Sequence, residues 1–387
     1  MGKIILKKNE EHRIRNGHLW IFSNEIEHKD AQNGEIIEVL DFKGKLLGHG
    51  FYNEHSLIAV RLLAGYYNGN FRDYVIESLH KALQLRAAFY PKRISFRLTH
   101  SESDYLPGLI IDRYNSTYVL QVYCTGIEQR INMIIEILKT EFKAENIFTL
   151  NDPHFRKLEG LPENDIIYLG NIREEVIDDG QLKYKIDFSH SQKTGFYFDQ
   201  CDNRKYIEKL CKDKKVLDVF CNSGGFGLHA AHAGASWITF ADSSKNSLDN
   251  AYFNFKLNGF KTPVEFICKD AFDLLEELKI SASKYDLVIV DPPSFAKSKK
   301  NLQKALKGYE KLNRLAMAAV SGGGFLVSSS CSGHVSRGDF YKTIIEAGRK
   351  SARKLQMVYF TGAAHDHPVI PAMPETSYLK FAVFRVM

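Results

Sequence analysis

The sequence predicts an α/β chain with a C-terminal, doubly wound Rossmann-like domain, preceded by a small β-barrel and a middle α+β domain. Three observations carry this. After Lys185 the apolar pattern alternates strand with helix, as a parallel sheet covered on both faces requires. Four strands in a row in that region run into an aspartate. The opening residues instead hold short strands separated by turn signals. The expected boundaries are 1–70, 71–185 and 186–387.

Within the first segment, residues 4–6, 19–22, 35–40 and 57–62 are the strand candidates, and Asn33-Gly34 and Lys43-Gly44 supply the turns. Trp20, Phe22 and Tyr52 read as barrel core. Phe71, Val75, Leu79, Leu83 and Ala87 then recur every four residues until Pro91, which predicts a helix. Residues 109–111 and 118–123 read as strands, and Ile131, Ile134, Ile135, Leu138 and Phe142 mark an amphipathic helix. No catalytic constellation is visible in this middle segment. Beyond it come strands at 216–220, 237–242, 264–267, 287–290 and 324–327, with helices at 226–233 and 247–258. Residues 381–386 read as a last, antiparallel strand closing the sheet.

Composition narrows the class. The 387 residues allow two or three domains, and 44% apolar with 25% charged residues are ordinary globular values. The six cysteines form neither a C-x-x-C pair nor a zinc-spaced cluster, so a reducing compartment fits. The amino terminus lacks an apolar signal region, no stretch approaches the length of a membrane helix, and mean hydropathy is −0.27. A cytoplasmic protein with no membrane partner is expected. His365-Asp366-His367 offers two histidines and no third ligand, so it reads as a loop near the substrate entrance and no metal is expected.

Net charge is +6. Its placement says more than its size. From Ala296 to Arg314 stand Lys297, Lys299, Lys300, Lys304, Lys307, Lys311 and Arg314, opposed by Glu310. Such a run concentrates an anionic partner, although a solvated helix face has the same composition.

The strongest motif is V-L-D-V-F-C-N-S-G-G-F-G at 216–227, a strand emptying through a glycine turn into a helix. Backbone N–H groups at such a turn face a ligand. The dinucleotide spacing G-x-G-x-x-G is absent. The acidic Asp218 instead fits a ligand with an ammonium and little negative charge, of which S-adenosylmethionine is an example. Asp242, ending the next strand, is placed to accept ribose hydroxyls, and Asp270 could accept the adenine amino group. Asp291 opens D-P-P-S-F after the fourth strand. Any one of these acids alone would ordinarily be a helix cap.

Taken with K-T-G-F-Y-F-D-Q at 193–200, D-P-P-S-F-A-K-S-K-K and Ser330-Cys331-Ser332, these motifs resemble the RlmI-type 23S ribosomal RNA methyltransferases. H-L-W-I-F-S-N-E-I resembles the opening of that family's PUA domain, and L-P-G-L-I-I-D-R-Y at 106–114 also matches, so the likeness spans nearly the whole chain. The resemblance implies a class I S-adenosylmethionine-dependent enzyme that makes 5-methylcytosine in 23S ribosomal RNA, and it leaves a homodimer open. Lys193, Thr194, Gly195, Phe196 and Asp199, with Arg204 downstream, match the segment flanking the methionine end of the cofactor. Asp218, Phe220, Cys221, Asn222, Ser223, Gly224, Gly225 and Phe226 match the cofactor turn. Asp242 with Ser243 match the ribose acid, and Asp270 with Ala271 the adenine acid. Asp291 matches the target-site acid at the cofactor's edge, and Cys331 the nucleophile. Phe220 and Asn222 depart from the glycines of many class I turns.

Chemistry independently favours Cys331. Cytosine C5 takes a methyl group readily only after a nucleophile has added to C6, and a thiolate serves for this. A buried apolar cysteine is the plain alternative. Cys221 lies in the cofactor turn and reads as lining, and Cys201 and Cys211 read as structural. Lys297, Lys299 and Lys300 would contact RNA phosphates. Base N-methylation (such as 7-methylguanosine), which needs no cysteine, remains the alternative chemistry. A catalytically silent RNA-binding assembly factor and, more distantly, a nucleotide oxidoreductase are the rivals from other classes.

Overall fold

The computed structural model describes residues 1–172, 174–189, 194–296 and 298–387, which leaves Lys193 and Lys297 outside the described residues. The chain forms two compact units. The first comprises Met1–Gly180, Ile186–Phe198 and His365–Thr376; the second comprises Gln181–Lys185, Asp199–Ala364 and Ser377–Met387.

Among the described residues, the first unit carries two large sheets. In chain order, the strands of its six-stranded sheet are Lys3–Leu6, Trp20–Phe22, Ile26–Asp30, Ile36–Leu40, Leu46–Tyr52 and Ile58–Leu62. Alternation puts Ile4, Leu6, Ile21, Ile37, Val39 and Val60 in one core. Tyr52 joins that core, whereas Trp20 is half-buried and its indole N–H donates to Glu102 at 2.8 Å. The second sheet has five strands: Phe96–His100, Leu109–Tyr114, Thr117–Val122, Asn146–Thr149 and Ile167–Leu169. Apolar faces of the helices Phe71–Phe89 and Ile131–Thr140 share its core.

Helix Phe71–Phe89 starts where Asn70 accepts from the N–H groups of Arg72 and Asp73. Phe71, Val75 and Leu79 are buried as expected, but Ala87 is exposed and Arg86 is buried in its place. At 3.6 residues per turn a four-residue repeat rotates by about 40° per step, so it leaves the core face by the last turn. Arg86 pairs with Asp104 through two bonds of 2.5 and 2.7 Å and donates to the Asp366 carbonyl at 2.7 Å. Residues 365–367 do form a loop, and it is fastened to the core of the first unit. Asp366 is fully buried, accepts from the Arg97 N–H at 3.1 Å and lies 3.6 Å from Arg93, while the His367 ring stands 4.8 Å from that of His100.

The second unit holds β1 (Lys215–Val219), α1 (Gly225–His232), β2 (Trp237–Asp242), α2 (Lys245–Leu257), β3 (Val264–Cys268) and α3 (Ala271–Ile280). β4 (Tyr285–Val290), α4 (Leu302–Ala319), β5 (Val320–Ser330), α5 (Arg337–Lys350), β6 (Leu355–Thr361) and β7 (Lys380–Val386) follow. Their sheet order is β3-β2-β1-β4-β5-β7-β6. Strands β1 to β5 are mutually parallel, and β7 is antiparallel to both β5 and β6. β7 therefore lies inside the sheet, and β6 is the edge strand on that side. Residues 356–358 of β6 are exposed, and such a strand leaves little apolar alternation to read.

After β1 the backbone takes left-handed φ at Phe220 (62°), Asn222 (47°) and Gly224 (84°). The two departures from glycine thus adopt the conformation glycine supplies freely. Asn tolerates it and Phe does so under strain, a pattern found at ligand turns.

Candidate active site

Because β1 to β5 are parallel, their carboxyl ends share one edge of the sheet, and five of the expected residues stand there. Asp218 is one residue inside β1 rather than at its end, Asp242 ends β2, and Asp270 follows β3 by two residues. Asp291 directly follows β4, and Cys331 directly follows β5. The β4–β5 register pairs Val290 with Ser328, which sets Asp291 beside the Ser328–Cys331 run.

Asp218 is fully buried. One carboxylate oxygen accepts from Gly227 N–H at 2.8 Å, and the other has no hydrogen-bond partner among the described residues. Burial pushes it up to about 7; the Gly227 bond opposes this, nearby Asp291 adds to it, and Arg204 draws it down. Burial likewise pushes Asp291 up to about 6, with Asp199 adding and Arg204 opposing. Gln200 donates through its amide to Asp291 at 3.0 Å and to the Ser329 hydroxyl at 3.3 Å, and Asn203 donates to Gln200 at 2.7 Å. Asp199 accepts from the Tyr378 hydroxyl at 2.7 Å. The guanidinium of buried Arg204 lies against the turn: a Cβ on Gly225 would come within 2.4 Å of its Nε.

Asp242 braces the same turn, accepting from Asn222 N–H at 3.0 Å and Ser244 N–H at 2.9 Å. Each carboxylate oxygen keeps a lone pair for a further donor. Ser223 N–H is taken by the Asn222 side chain at 2.7 Å. Cys221 is buried and its thiol is pushed well above the ordinary range by desolvation and by Asp218 and Asp242, so it is a protonated packing group. Phe226 is buried and stacks on Phe381. Cys201 and Cys211 are buried as well.

Cys331 differs from these, being half-exposed, with its Sγ 3.9 Å from the Pro292 carbonyl. The residue after it, Ser332, ties three segments together. Its hydroxyl meets Ser294 Oγ and Tyr309 OH at 2.9 Å each and accepts from Ala296 N–H at 3.3 Å. Its carbonyl accepts from the Lys380 ammonium at 2.6 Å.

Gln200, Ser329, Tyr309, Ser332 and Lys380 were not singled out in the sequence. Serines and a lysine carry no motif of their own; the K-T-G-F-Y-F-D-Q and Ser330-Cys331-Ser332 runs contained two of the five, Gln200 and Ser332.

At that same edge Asp270 is exposed and caps α3, accepting from Phe272 N–H at 2.8 Å and Asp273 N–H at 3.3 Å. Ala271, the first residue of α3, is buried, and Ser243 is exposed. Thr194, Gly195 and Phe196 belong to the first unit, where the Thr194 hydroxyl donates to Asp112 and Phe196 N–H donates to Tyr114 OH at 2.9 Å. Asp112 also pairs with Arg97 at 2.8 Å. The L-P-G-L-I-I-D-R-Y strand thus carries a buried acid that fastens the 194–196 segment. Lys299, Lys300, Lys304, Lys307 and Lys311 are all exposed.

Four acids around one arginine favour a ligand that brings positive charge and disfavour a pyrophosphate. The orphaned Asp218 oxygen and the spare lone pairs of Asp242 fit the ammonium, sulfonium and ribose groups of S-adenosylmethionine. Among the described residues no His/Cys/Asp/Glu group is arranged to hold a metal, and no helix is long and apolar enough to cross a membrane.

Comparison with known proteins agrees with this chemistry. The S-adenosylmethionine-dependent methyltransferase family matches residues 169–385, and the PUA-like domain family matches residues 4–64. A protein of Aliivibrio fischeri (strain MJ11) named ribosomal RNA large subunit methyltransferase I is 36% identical over 392 residues, 99% of each chain. A Vibrio cholerae protein of the same name is 36% identical over 393 residues, again 99% of each chain. Among solved structures, SMU.776 in complex with SAH has a TM-score of 0.87 at 19% identity, over 100% of both chains. A second solved structure, of a protein from Streptococcus mutans, has a TM-score of 0.84 at 18% identity, also over 100% of both chains. At these identities the solved structures speak for the fold.

Proposed function

The chain belongs to the ribosomal RNA large subunit methyltransferase I family of S-adenosylmethionine-dependent enzymes, and on that premise we propose that it methylates C5 of a cytosine in 23S ribosomal RNA through a covalent Cys331 adduct. Its fold is a class I methyltransferase sheet, preceded in the chain by a PUA-like domain. The observation that carries the reading is the half-exposed Cys331 following β5, next to the half-buried Asp291 following β4.

S-adenosylmethionine, when bound, supplies the electrophilic methyl group; we assign it to the turn from Asp218 to Gly227 with Asp199, Arg204 and Asp242, and to Asp270 for the adenine. The thiolate of Cys331 forms a bond to C6, and the electron pair of the C5–C6 bond shifts so that C5 becomes nucleophilic. Asp291, raised to about 6, can place a proton or a hydrogen bond at N3 near neutral pH and thereby supports the ring during attack. After C5 takes the methyl group a base removes its proton, the double bond re-forms, and the C6–S bond breaks to return the thiolate. Phosphate contacts are assigned to the exposed lysines from Lys299 onward, which position RNA without reading its sequence.

Cys331→Ala decides the matter. It should bind S-adenosylmethionine normally and lose methyl transfer almost entirely, while the wild type should form a stable complex with RNA carrying 5-fluorocytidine, because fluorine blocks the final proton loss. Substantial methylation by Cys331→Ala would exclude the adduct and put base N-methylation in its place.

A further inference from the structure

β5 and β7 run antiparallel with Ser330 opposite Lys380, so the first residue of β7 sits beside the end of the strand that presents Cys331. Lys380 is 4% exposed. Its ammonium donates to the Ser332 carbonyl at 2.6 Å and the Tyr378 carbonyl at 2.7 Å. An ammonium has three N–H donors, so one remains. No carboxylate lies within ion-pair distance of Lys380 among the described residues. A buried cation with carbonyl partners only is costly unless an anion faces it.

The titratable groups around it narrow the choice of anion. Tyr309, from α4, reaches it through the Ser332 hydroxyl, and its phenol is pushed up by burial, so it stays neutral. Tyr378 donates its hydroxyl to Asp199. Burial lowers Lys380 to about 8 while Cys331 acts in the opposite direction, so the ammonium persists at pH 7. Cys331 is the group left that can become the counter-ion.

We propose that Lys380 is a positioning residue that holds Cys331 as a thiolate, anchoring its charge on the two carbonyls that flank the site. This rests on the cysteine-nucleophile reading above. The proton lost by Cys331 goes to solvent, and the charge pair forms in place. A lysine that merely clamps two backbone carbonyls would not alter the titration of the thiol.

The test is the pH profile of iodoacetamide alkylation in the full-length protein, read peptide by peptide, with the exposed Cys268 as internal reference. The wild-type Cys331 should titrate about one pH unit or more below Cys268. Lys380→Met should abolish that difference. Lys380→Gln, which keeps donors for the carbonyls but no charge, should do the same if the methionine variant does not fold. Lys380→Arg should retain the low value. A wild-type Cys331 that titrates no lower than Cys268, or an unmoved profile in Lys380→Gln, overturns the proposal. Because the readout is alkylation, failure here is distinct from failure of the nucleophile reading, which shows as methyl transfer by Cys331→Ala.

Discussion

Asp218 and Asp291 are carboxylates held where ionisation is unfavourable. Burial raises them to about 7 and about 6, against an ordinary value of 3.8. Between the unfolded and folded values the folded chain binds more protons than the unfolded one, so stability falls as pH rises through that window. Asp218→Asn keeps an acceptor for Gly227 and removes the titration. It should leave stability unchanged at pH 4 and raise it at pH 8 by roughly 1–4 kcal/mol, since each tenfold change in proton affinity corresponds to about 1.4 kcal/mol. Thermal unfolding of the cofactor-free protein at both pH values measures this; an equal gain at pH 4 would mean that packing, not charge, is responsible. The cost of holding these acids in the free protein is what a cationic ligand offsets on binding.

The turn from β1 to α1 works as one element. Its left-handed residues swing the chain sharply, and its glycines let neighbours approach. A Cβ at Gly227 would stand 2.1 Å from the buried Phe240 ring. Gly227→Ala should therefore lower stability by about 1–3 kcal/mol and weaken S-adenosylmethionine binding as the turn shifts, as calorimetry and thermal unfolding would register. The lysine-bearing face of α4 and the turn before it are the element on which the proposed phosphate contacts rest. Ala305, Tyr309 and Leu312 point to the core while Lys304, Lys307 and Lys311 are exposed, so the helix period separates charge from apolar surface. Neutralising Lys299 and Lys300 should flatten the salt dependence of RNA binding by about 0.7 per lost contact on single strands and leave cofactor affinity unchanged. An unaltered slope would make this a solvated face.

At the scale of the whole molecule, distant segments are held by buried charge. Asp366 meets Arg93, the Arg97 N–H and His367, and Arg86 meets Asp104 and the Asp366 carbonyl, all within the first unit. Burial opposes the charge on Asp366, but His367 and Arg93 together hold it well below the ordinary carboxylate range. Its contribution is therefore present above the unfolded value near 3.8 and is lost as pH falls toward the folded one, the opposite sign to Asp218. Asp366→Ala removes the buried carboxylate that Arg93, the Arg97 N–H and His367 share and should cost about 3–5 kcal/mol at pH 7, seen as a lower denaturant midpoint. A loss under about 1 kcal/mol would mean that water reaches Arg93 and replaces the acid.

Much of this was legible in the sequence because it is local. Strand–helix alternation, the aspartates near the ends of β1 to β4, the glycine turn and Cys331 all depend on neighbours within a few residues, and period and turn chemistry record them. Ala87 shows where even a local pattern fails, since a four-residue repeat outruns the helix. Only the tertiary structure decided that Asp218 is buried with a spare oxygen, that Gln200 bridges Asp291 and Ser329, and that β7 lies inside the sheet. It also brought Lys380 to the strand end that carries Cys331, and Asp366 to Arg93. Those contacts join residues far apart in the chain, and their side chains acquire altered charge only once folding has removed water from them. Neither register nor desolvation is written in a local pattern, so both had to come from the assembled chain.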